Sequence, residues 1–378
     1  MRVRRIFWIV ILLIGVFFAR PLWEEPVGEY VDLDFLETVD SAIDRVISDP
    51  EVAGALDGAR QLTVRFAGEL QALVTSGNLQ QLPEEVPKPE LSDTDSLFAI
   101  HNITLGMTKE DAQAKVGLPL RLMRNEYGTD WHSYHQEFQN YVLLSYDQDG
   151  LVNGMFTNQD IISSTEDITM ASTKSEVREV LGEPLKSLRK GNVQYILDTR
   201  DEYDMFNMDS SYVTVFYDLH EEESVTAIQV IQGELEAERP KIYAEQTEEL
   251  KDGYELLLFE LTNSARIQRG LPLLKWDEAT RSTARKHSDD MAENHYFSHT
   301  NLAGQSPFDR MSEDGISFFI AGENLAYGQY SSIFAHEGLM NSPGHRENIV
   351  KPDFGYLGVG TAFNEEDQPY YTAKFFNR

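Results

Sequence analysis

Three side chains of the metal-ligand type, His299, Glu323 and His345, stand in three separate short segments rich in turn residues. The segments read YFSHTNLAG, AGENLAYG and NSPGHRENI. Loop segments commonly assemble a functional site. Two imidazoles and a carboxylate suit a divalent cation such as zinc, and the same groups could act as bases or hydrogen-bond donors. Spacing alone leaves open a third reading, in which the three residues have independent structural roles.

The other histidines have simpler interpretations. His287 falls on the apolar face of a predicted helix, which indicates a hydrogen-bonded core residue. His295 lies near the end of that helix and fits a surface residue or a partner of the helix dipole. His132 and His135 could be metal ligands at positions i and i+3, but no third ligand is evident nearby, so we interpret them as surface or packing residues.

Familiar hydrolase motifs are absent from the sequence. HEGLM, at 336–340, resembles the start of a zinc-protease motif, but Met340 replaces the second histidine. No G-x-S-x-G nucleophile motif occurs. Ser298 is too close to His299 in sequence to form a convincing catalytic pair. We expect Arg310 to pair with a local carboxylate and Arg346 to form a surface ion pair.

The elements that must position these residues make up the segment 254–378. Asp252 is predicted to cap a helix that ends at Gly270, and Asp277 to cap the helix that carries His287. A charged helical connector, 236–253, precedes this segment.

The region 92–235 contains an internal repeat. ITLGMTKEDAQAKVGLPLRLM at 103 aligns with ITMASTKSEVREVLGEPLKSL at 168. Thr108 and Thr173 are predicted N-caps of short helices that end at Gly117 and Gly182. Strand-like hairpins follow each helix, so the pattern predicts tandem modules of a helix plus an antiparallel sheet.

The N-terminus predicts the compartment. Residues 1–24 have a basic start and an apolar run from Ile6 to Ala19, which as a helix spans roughly 21 Å. With Leu22 and Trp23 it approaches the ~30 Å hydrocarbon core. We favour an uncleaved membrane anchor over a cleaved signal peptide, and both place the rest of the chain outside the cytoplasm. Residues 25–91 read as a helical stalk and an acidic, proline-rich linker.

Composition limits the partners. The formal net charge of -31 argues against a nucleic-acid partner, because phosphate binding needs clustered lysine and arginine. The chain has no cysteine, which excludes disulfides, thiolate metal sites and cysteine nucleophiles.

The motifs HSDDMAENHYFSHTNLAGQSPFDRM, AGENLAYG, MNSPGHRENI, YLGVG and PYYTAKFF strongly resemble the bacterial CAP domain. That superfamily unites cysteine-rich secretory proteins, antigen 5 and plant pathogenesis-related proteins. The repeat region resembles the one that accompanies some bacterial CAP domains. The resemblance implies an α+β chain with a C-terminal α-β-α sandwich over 254–378, whose strands lie near 355–363 and 369–376. In sequence order, a membrane helix and the tandem modules precede this sandwich.

The resemblance also implies a cleft of two histidines and two glutamates, which in several members binds a divalent cation. His299, Glu323 and His345 match three of the four. At the expected place of the second glutamate stands Ser342, and Glu337 lies nearby. We therefore predict a membrane-tethered binding module of the cell envelope, with an envelope protein, peptidoglycan or lipid as partner. The alternative is a metal-dependent hydrolase acting on envelope peptides.

Overall fold

The computed structural model describes residues 82–208 and 210–378, which belong to one compact unit, Gln80–Arg378. The predicted membrane segment, 1–24, and the predicted stalk as far as residue 81 lie outside the described residues. Within the described ranges, no helix has both the length and the apolar character needed to cross a bilayer.

The described chain is a mixed α+β structure. Its helices are α1 Lys109–Val116, α2 Lys174–Leu181, α3 Gly233–Glu238, α4 Glu248–Ile267, α5 Glu278–Glu293, α6 Pro307–Glu313, α7 Ser332–Asn341 and α8 Pro343–Ile349. Its strands are β1 Phe98–Ile100, β2 Arg121–Arg124, β3 Asp130–Gln136, β4 Gln139–Tyr146, β5 Val152–Thr157, β6 Ile162–Ser164, β7 Ser187–Lys190, β8 Val193–Ile196, β9 Tyr203–Met208, β10 Ser211–Asp218, β11 Ser224–Gln232, β12 Lys275–Trp276, β13 Ile320–Tyr327, β14 Tyr356–Phe363 and β15 Pro369–Asn377.

Helices α1 and α2 begin and end as the sequence predicts. The Thr108 side chain accepts a hydrogen bond from the third backbone N–H of α1, and Thr173 forms a full capping box with α2. Gly117 and Gly182 end the two helices with φ of 80° and 83°, a conformation that glycine adopts without steric cost.

The strands that follow these two helices differ from the prediction of one sheet per module. Seven of them join in a single sheet of order β2-β3-β4-β5-β11-β10-β9, whereas β7 and β8 form a separate two-stranded sheet and β6 pairs with β1. The junction is the antiparallel pair of β5 and β11, in which Thr157 lies opposite Ile228. Joining the sheets removes two edge strands with unpaired backbone groups, which is a physical reason for the merger.

The C-terminal domain is built on a four-stranded sheet of order β12-β14-β15-β13. Strands β14 and β15 coincide with the strands expected near 355–363 and 369–376. Helix α5 packs very closely on β14, because a Cβ atom at Gly360 would lie 2.0 Å from the backbone nitrogen of Arg285. The layering into an α-β-α sandwich stays a prediction.

Helix α4 begins five residues earlier than the sequence predicts, at Glu248. Thr247 caps it by accepting a hydrogen bond from the Leu250 backbone N–H at 3.1 Å. The prediction that Asp252 is the cap is wrong, because the Asp252 carboxylate instead accepts a hydrogen bond from Arg285 at 2.7 Å. Most of the predicted connector is thus an irregular segment followed by the first turn of α4.

Helix α4 is shared by the two domains through two buried glutamates. The Glu260 carboxylate accepts hydrogen bonds from Arg121 at 2.8 Å and Tyr141 at 3.0 Å, both in the N-terminal sheet. Glu255 is fully buried and accepts a 2.6 Å hydrogen bond from Arg285 of α5. Each domain therefore neutralises one carboxylate of the same helix.

Replacing Gly253 tests this packing. A Cβ atom there would lie 2.2 Å from the backbone oxygen of Arg124 on β2. An alanine inside a helix usually stabilises by about 1 kcal/mol relative to glycine, whereas overpacking costs about 1–3 kcal/mol. We expect Gly253→Ala to lower the free energy of unfolding, measured by urea denaturation of the full chain. Gly344→Ala, where no atom lies within 4 Å, is the matched control and should be neutral or stabilising. A stabilising Gly253→Ala would contradict this packing.

Candidate functional site

The three predicted site residues lie on three neighbouring elements. Glu323 is on β13, His299 is in the segment between α5 and α6, and His345 is in α8. Two hydrogen bonds attach α8 to β13: Asn324 donates to the backbone oxygen of His345 at 2.9 Å, and Asn348 donates to Asn324 at 2.9 Å. The structure therefore brings all three segments to one place in the C-terminal domain.

The Glu323 carboxylate is the centre of this site, and its side chain is only 2% exposed. One oxygen contacts Nδ1 of His299 at 2.9 Å and Nη2 of Arg310 at 3.2 Å. The other contacts Nη2 of Arg310 at 2.9 Å and Nζ of Lys374 at 2.5 Å. Both oxygens are thus occupied by donors from within the protein.

Strand register explains the Lys374 contact. Glu323 on β13 lies directly opposite Lys374 on β15. Directly opposed side chains on antiparallel strands are close enough to pair. The Lys374 side chain is completely buried, so its charge depends on the Glu323 carboxylate for compensation.

The electrostatic balance of the site keeps Glu323 ionised. Burial raises the pKa of its carboxyl, but the hydrogen bond with His299 and the charges of Lys374 and Arg310 outweigh burial and lower the pKa to about 2. Burial lowers the pKa of Lys374, an effect that Glu323 opposes. The buried centre therefore holds one anion against two cations.

The two histidines are held by their Nδ1 atoms. Because Glu323 is ionised and accepts, Nδ1 of His299 carries the proton, which leaves Nε2 as an acceptor in the neutral ring. Nδ1 of His345 lies 2.8 Å from the Ser342 hydroxyl. Burial lowers the pKa of His345. Neutral pH therefore presents His345 as an uncharged imidazole beside His299.

The geometry gives these residues only part of a metal site. Both oxygens of Glu323 contact donors of Lys374, Arg310 and His299. The Nε2 atoms of His299 and His345 are therefore the atoms of this trio that could still bind a metal ion. Zinc sites use three or four protein ligands. Among residues 82–208 and 210–378, no group of three or more histidine, aspartate or glutamate side chains is arranged to hold a metal ion. The contact of Glu323 with Nδ1 of His299 is the kind by which a carboxylate orients a histidine.

Neither residue near the expected second glutamate supplies a carboxylate to the centre. Ser342 uses its hydroxyl on His345. Glu337 is buried on the side of the N-terminal domain. Burial raises the pKa of its carboxyl to about 8; the charges of Arg269 and Arg346 oppose this rise, and that of Asp218 adds to it.

Two positive residues complete the centre, and the sequence identified only one of them. Arg310 pairs with a carboxylate as predicted, and its partner is Glu323. Lys374 was missed. The sequence did offer a clue to it, because Lys374 is the single charged residue in the segment PYYTAKFF of the last strand.

Three other histidines have packing roles, whereas His295 is exposed. His287 is 1% exposed, and its ring nitrogen Nε2 contacts the backbone oxygen of Ser298 at 3.0 Å, as predicted for a core residue. The ring of His135 stacks on Phe138 at 4.4 Å, and its Nδ1 accepts a hydrogen bond from the Phe138 backbone. His132 is buried and packs edge-on against a tyrosine ring.

The helix that carries His345 is tied to the N-terminal domain. Arg346 donates to Asp218, the last residue of β10, at 2.7 Å and to Glu221, in the turn that follows, at 2.9 Å. The predicted surface ion pair of Arg346 is therefore a contact between domains, and its Asp218 partner is buried.

Comparison with known proteins agrees with this architecture. Residues 105–241 match the CAP-associated N-terminal family, and residues 259–375 match the cysteine-rich secretory protein family, CAP. The chain is 29% identical over 351 residues to the uncharacterised membrane protein YlbC of Bacillus subtilis, covering 83% of this chain and 96% of that protein. It is 45% identical over 107 residues to the uncharacterised protein YkwD of the same organism, covering 28% of this chain and 42% of YkwD.

Solved structures give the same assignment. An extracellular protein with an SCP domain from Bacillus anthracis matches with a TM-score of 0.63 at 26% identity, covering 78% of this chain and 100% of that chain. A cysteine-rich secretory protein from Staphylococcus aureus matches with a TM-score of 0.57 at 15% identity, covering 72% of this chain and 91% of that chain, which supports the fold alone. The chain is therefore a CAP-family protein with a CAP-associated N-terminal domain in front of its CAP domain.

Proposed function

We propose that this protein is a membrane-tethered binding module of the cell envelope, whose CAP cleft binds a small ligand between His299 and His345. The observation that carries the proposal is the occupied carboxylate of Glu323. It fixes His299 with an acceptor nitrogen free, next to the neutral ring of His345. Two oriented imidazoles on a rigid base can exchange hydrogen bonds with a polar group of a ligand.

The charge balance favours such a ligand over a divalent cation. A metal bound by Glu323 would have to displace Lys374 and Arg310, which are buried and would lose their compensating charge. Removing one partner of a buried ion pair costs about 3–5 kcal/mol. A ligand that binds the two imidazoles leaves the Glu323 centre intact.

Aromatic side chains beside the cleft favour a ligand that also has an apolar part. Tyr327 is four residues after Glu323 on β13, and alternate residues of a strand share a face. Its ring lies 5.9 Å from the ring of Phe297, which precedes His299 by two residues and is 50% exposed. Lipids and peptidoglycan fragments both combine polar and apolar groups.

The tether rests on the sequence and on a relative. Residues 6–19 are apolar behind a basic start, and the similar Bacillus subtilis protein is named a membrane protein. The alternative function, a metal-dependent hydrolase, would require Glu323 to exchange two buried cations for a metal, and no contact described above favours that exchange.

Zinc titration separates the two functions. Because Glu323 is occupied, we expect calorimetry of the purified full chain to show no saturable one-to-one zinc binding beyond that of the His299→Ala, His345→Ala double variant. One-to-one binding that the double variant loses would overturn the assignment, establish a metal centre and justify assays for peptide hydrolysis.

Ligand binding is tested through the histidine rings. We expect a short-chain phosphatidylglycerol or soluble peptidoglycan fragments to shift the ring NMR signals of His299 and His345 in a saturable way. The signal of the exposed His295 should stay unchanged, and the double variant should not bind. If neither probe moves either ring, the proposal fails.

The pH dependence of stability tests the Glu323 centre itself. The pKa of Glu323 is lowered to about 2, so its stabilising effect is complete above the ordinary glutamate pKa and is lost as pH falls toward 2. We expect Glu323→Gln to lower the free energy of unfolding by about 3 kcal/mol or more at pH 7. The difference from the wild type should shrink on acidification.

Denaturant unfolding at a series of pH values measures this difference. Glu347→Gln removes an exposed carboxylate on α8 and is the matched control. We expect it to change the free energy of unfolding by no more than about 0.5 kcal/mol. A Glu323→Gln variant as stable as the control at pH 7 would contradict the compensation described here.

A further inference from the structure

Residues 341–346 carry the cleft imidazole of His345 and lie against the N-terminal domain. We call them the His345 segment; they comprise the last residue of α7, the linking residue and the start of α8. They contact the end of β10 and the turn that follows, residues 217–221, which we call the β10 turn. Hydrogen bonds join the two segments at both ends of the His345 segment, at Asn341 and at Arg346.

The Asn341 amide uses both of its polar atoms on the β10 turn. Its side-chain oxygen accepts a hydrogen bond from the backbone N–H of Leu219 at 2.9 Å, and its side-chain nitrogen donates to the backbone oxygen of Tyr217 at 2.9 Å. Nε2 of His220 donates to the Asn341 backbone oxygen at 3.0 Å, because a carbonyl oxygen can only accept. These contacts fix both the position and the orientation of the residue that ends α7.

Arg346 holds the other end of the His345 segment. Its guanidinium donates to Asp218 at 2.7 Å and to Glu221 at 2.9 Å. Asp218 is 5% exposed, and its second oxygen accepts a hydrogen bond from the backbone N–H of His220 at 2.9 Å. One buried carboxylate therefore holds Arg346 and also shapes the turn that reaches Asn341.

The imidazole of His345 lies between these two attachments. Its Nδ1 contacts the hydroxyl of Ser342, the residue directly after Asn341, and the backbone N–H of Arg346 donates to the backbone oxygen of Ser342 at 2.8 Å. From the CAP domain, Asn324 of β13 donates to the backbone oxygen of His345. The position of the ring is thus set from two sides, by β13 and by the β10 turn.

We propose that the β10 turn is a positioning element for His345, so that the N-terminal domain controls the geometry of the histidine cleft. Release of the turn would free both ends of the His345 segment, and the ring would lose its fixed place beside His299. The affinity of the cleft for a ligand that binds both imidazoles would then fall. This consequence rests on the function proposed for the cleft, whereas the position of His345 is measurable without a ligand.

NMR of the ligand-free full chain tests the positioning. Asp218→Asn removes the charge that holds Arg346, and His220→Ala removes only the exposed ring that donates to Asn341. We expect both variants to shift or broaden the ring signals of His345 and to leave those of the core residue His287 unchanged. If Asp218→Asn does not fold, His220→Ala decides alone. Ring signals of His345 that match the wild type in the folded variants would overturn the proposal.

Glu260→Gln is the matched control. Like Asp218→Asn, it neutralises a buried carboxylate that pairs with an arginine of the other domain, here Arg121. Urea denaturation measures the loss of stability in each variant. We expect Glu260→Gln to lower the stability but to keep the His345 signals of the wild type. An equal change of these signals in Glu260→Gln would show a general loosening of the two domains and would refute a specific role of the β10 turn.

Affinity measurements test the consequence for binding, with short-chain phosphatidylglycerol and soluble peptidoglycan fragments as probes. We expect Asp218→Asn to weaken binding of the probe that the wild type binds by at least about fivefold. Glu260→Gln should change this affinity by less than about twofold. Equal affinities of the wild type and Asp218→Asn would overturn the control of the cleft by the N-terminal domain. If the wild type binds neither probe, the function proposed for the cleft fails, and the ring signals of the ligand-free chain still decide the positioning of His345.

Discussion

Helix α4 has to be buried on both sides, and this constraint organises the described structure. Its two buried carboxylates, Glu255 and Glu260, are neutralised by arginines of different domains, Arg285 in the CAP domain and Arg121 in the N-terminal sheet. A buried charge without its partner costs free energy of folding. Separating either domain from the helix would leave one of the two carboxylates without its arginine. Gly253 makes the close approach of α4 to β2 sterically feasible. The two family regions are consequently parts of one packed unit.

The same principle, applied at Glu323, decides the chemistry of the cleft. A carboxylate that compensates Lys374 and Arg310 also holds His299 in one tautomer and one orientation. Resemblance to the family directed attention to the histidines and glutamates of the cleft. In this chain the buried cations next to the glutamate determine what those groups can do. The binding that we propose therefore uses the outer edges of the two imidazoles.

Local sequence signals predicted the parts of this structure that depend on local interactions. The caps Thr108, Thr173 and Asp277 were predictable because each satisfies backbone donors within three residues of itself. The convergence of the three segments with His299, Glu323 and His345 came from loop composition and from family resemblance. The partnership of Glu323 with Lys374 depends on strand register across fifty-one positions, which no local pattern encodes. The merged seven-stranded sheet was missed for the same reason.

The position of Arg346 connects the cleft to the rest of the chain. Directly after His345, it binds Asp218 and Glu221 of the N-terminal domain, so one short helix presents a cleft imidazole on one side and an interdomain ion pair on the other. Asp218 is buried, which makes this pair less screened by solvent than a surface bridge. A movement of the N-terminal domain relative to the CAP domain would therefore pull on the helix that carries His345. The N-terminal domain accordingly contributes to the mechanical support of the cleft.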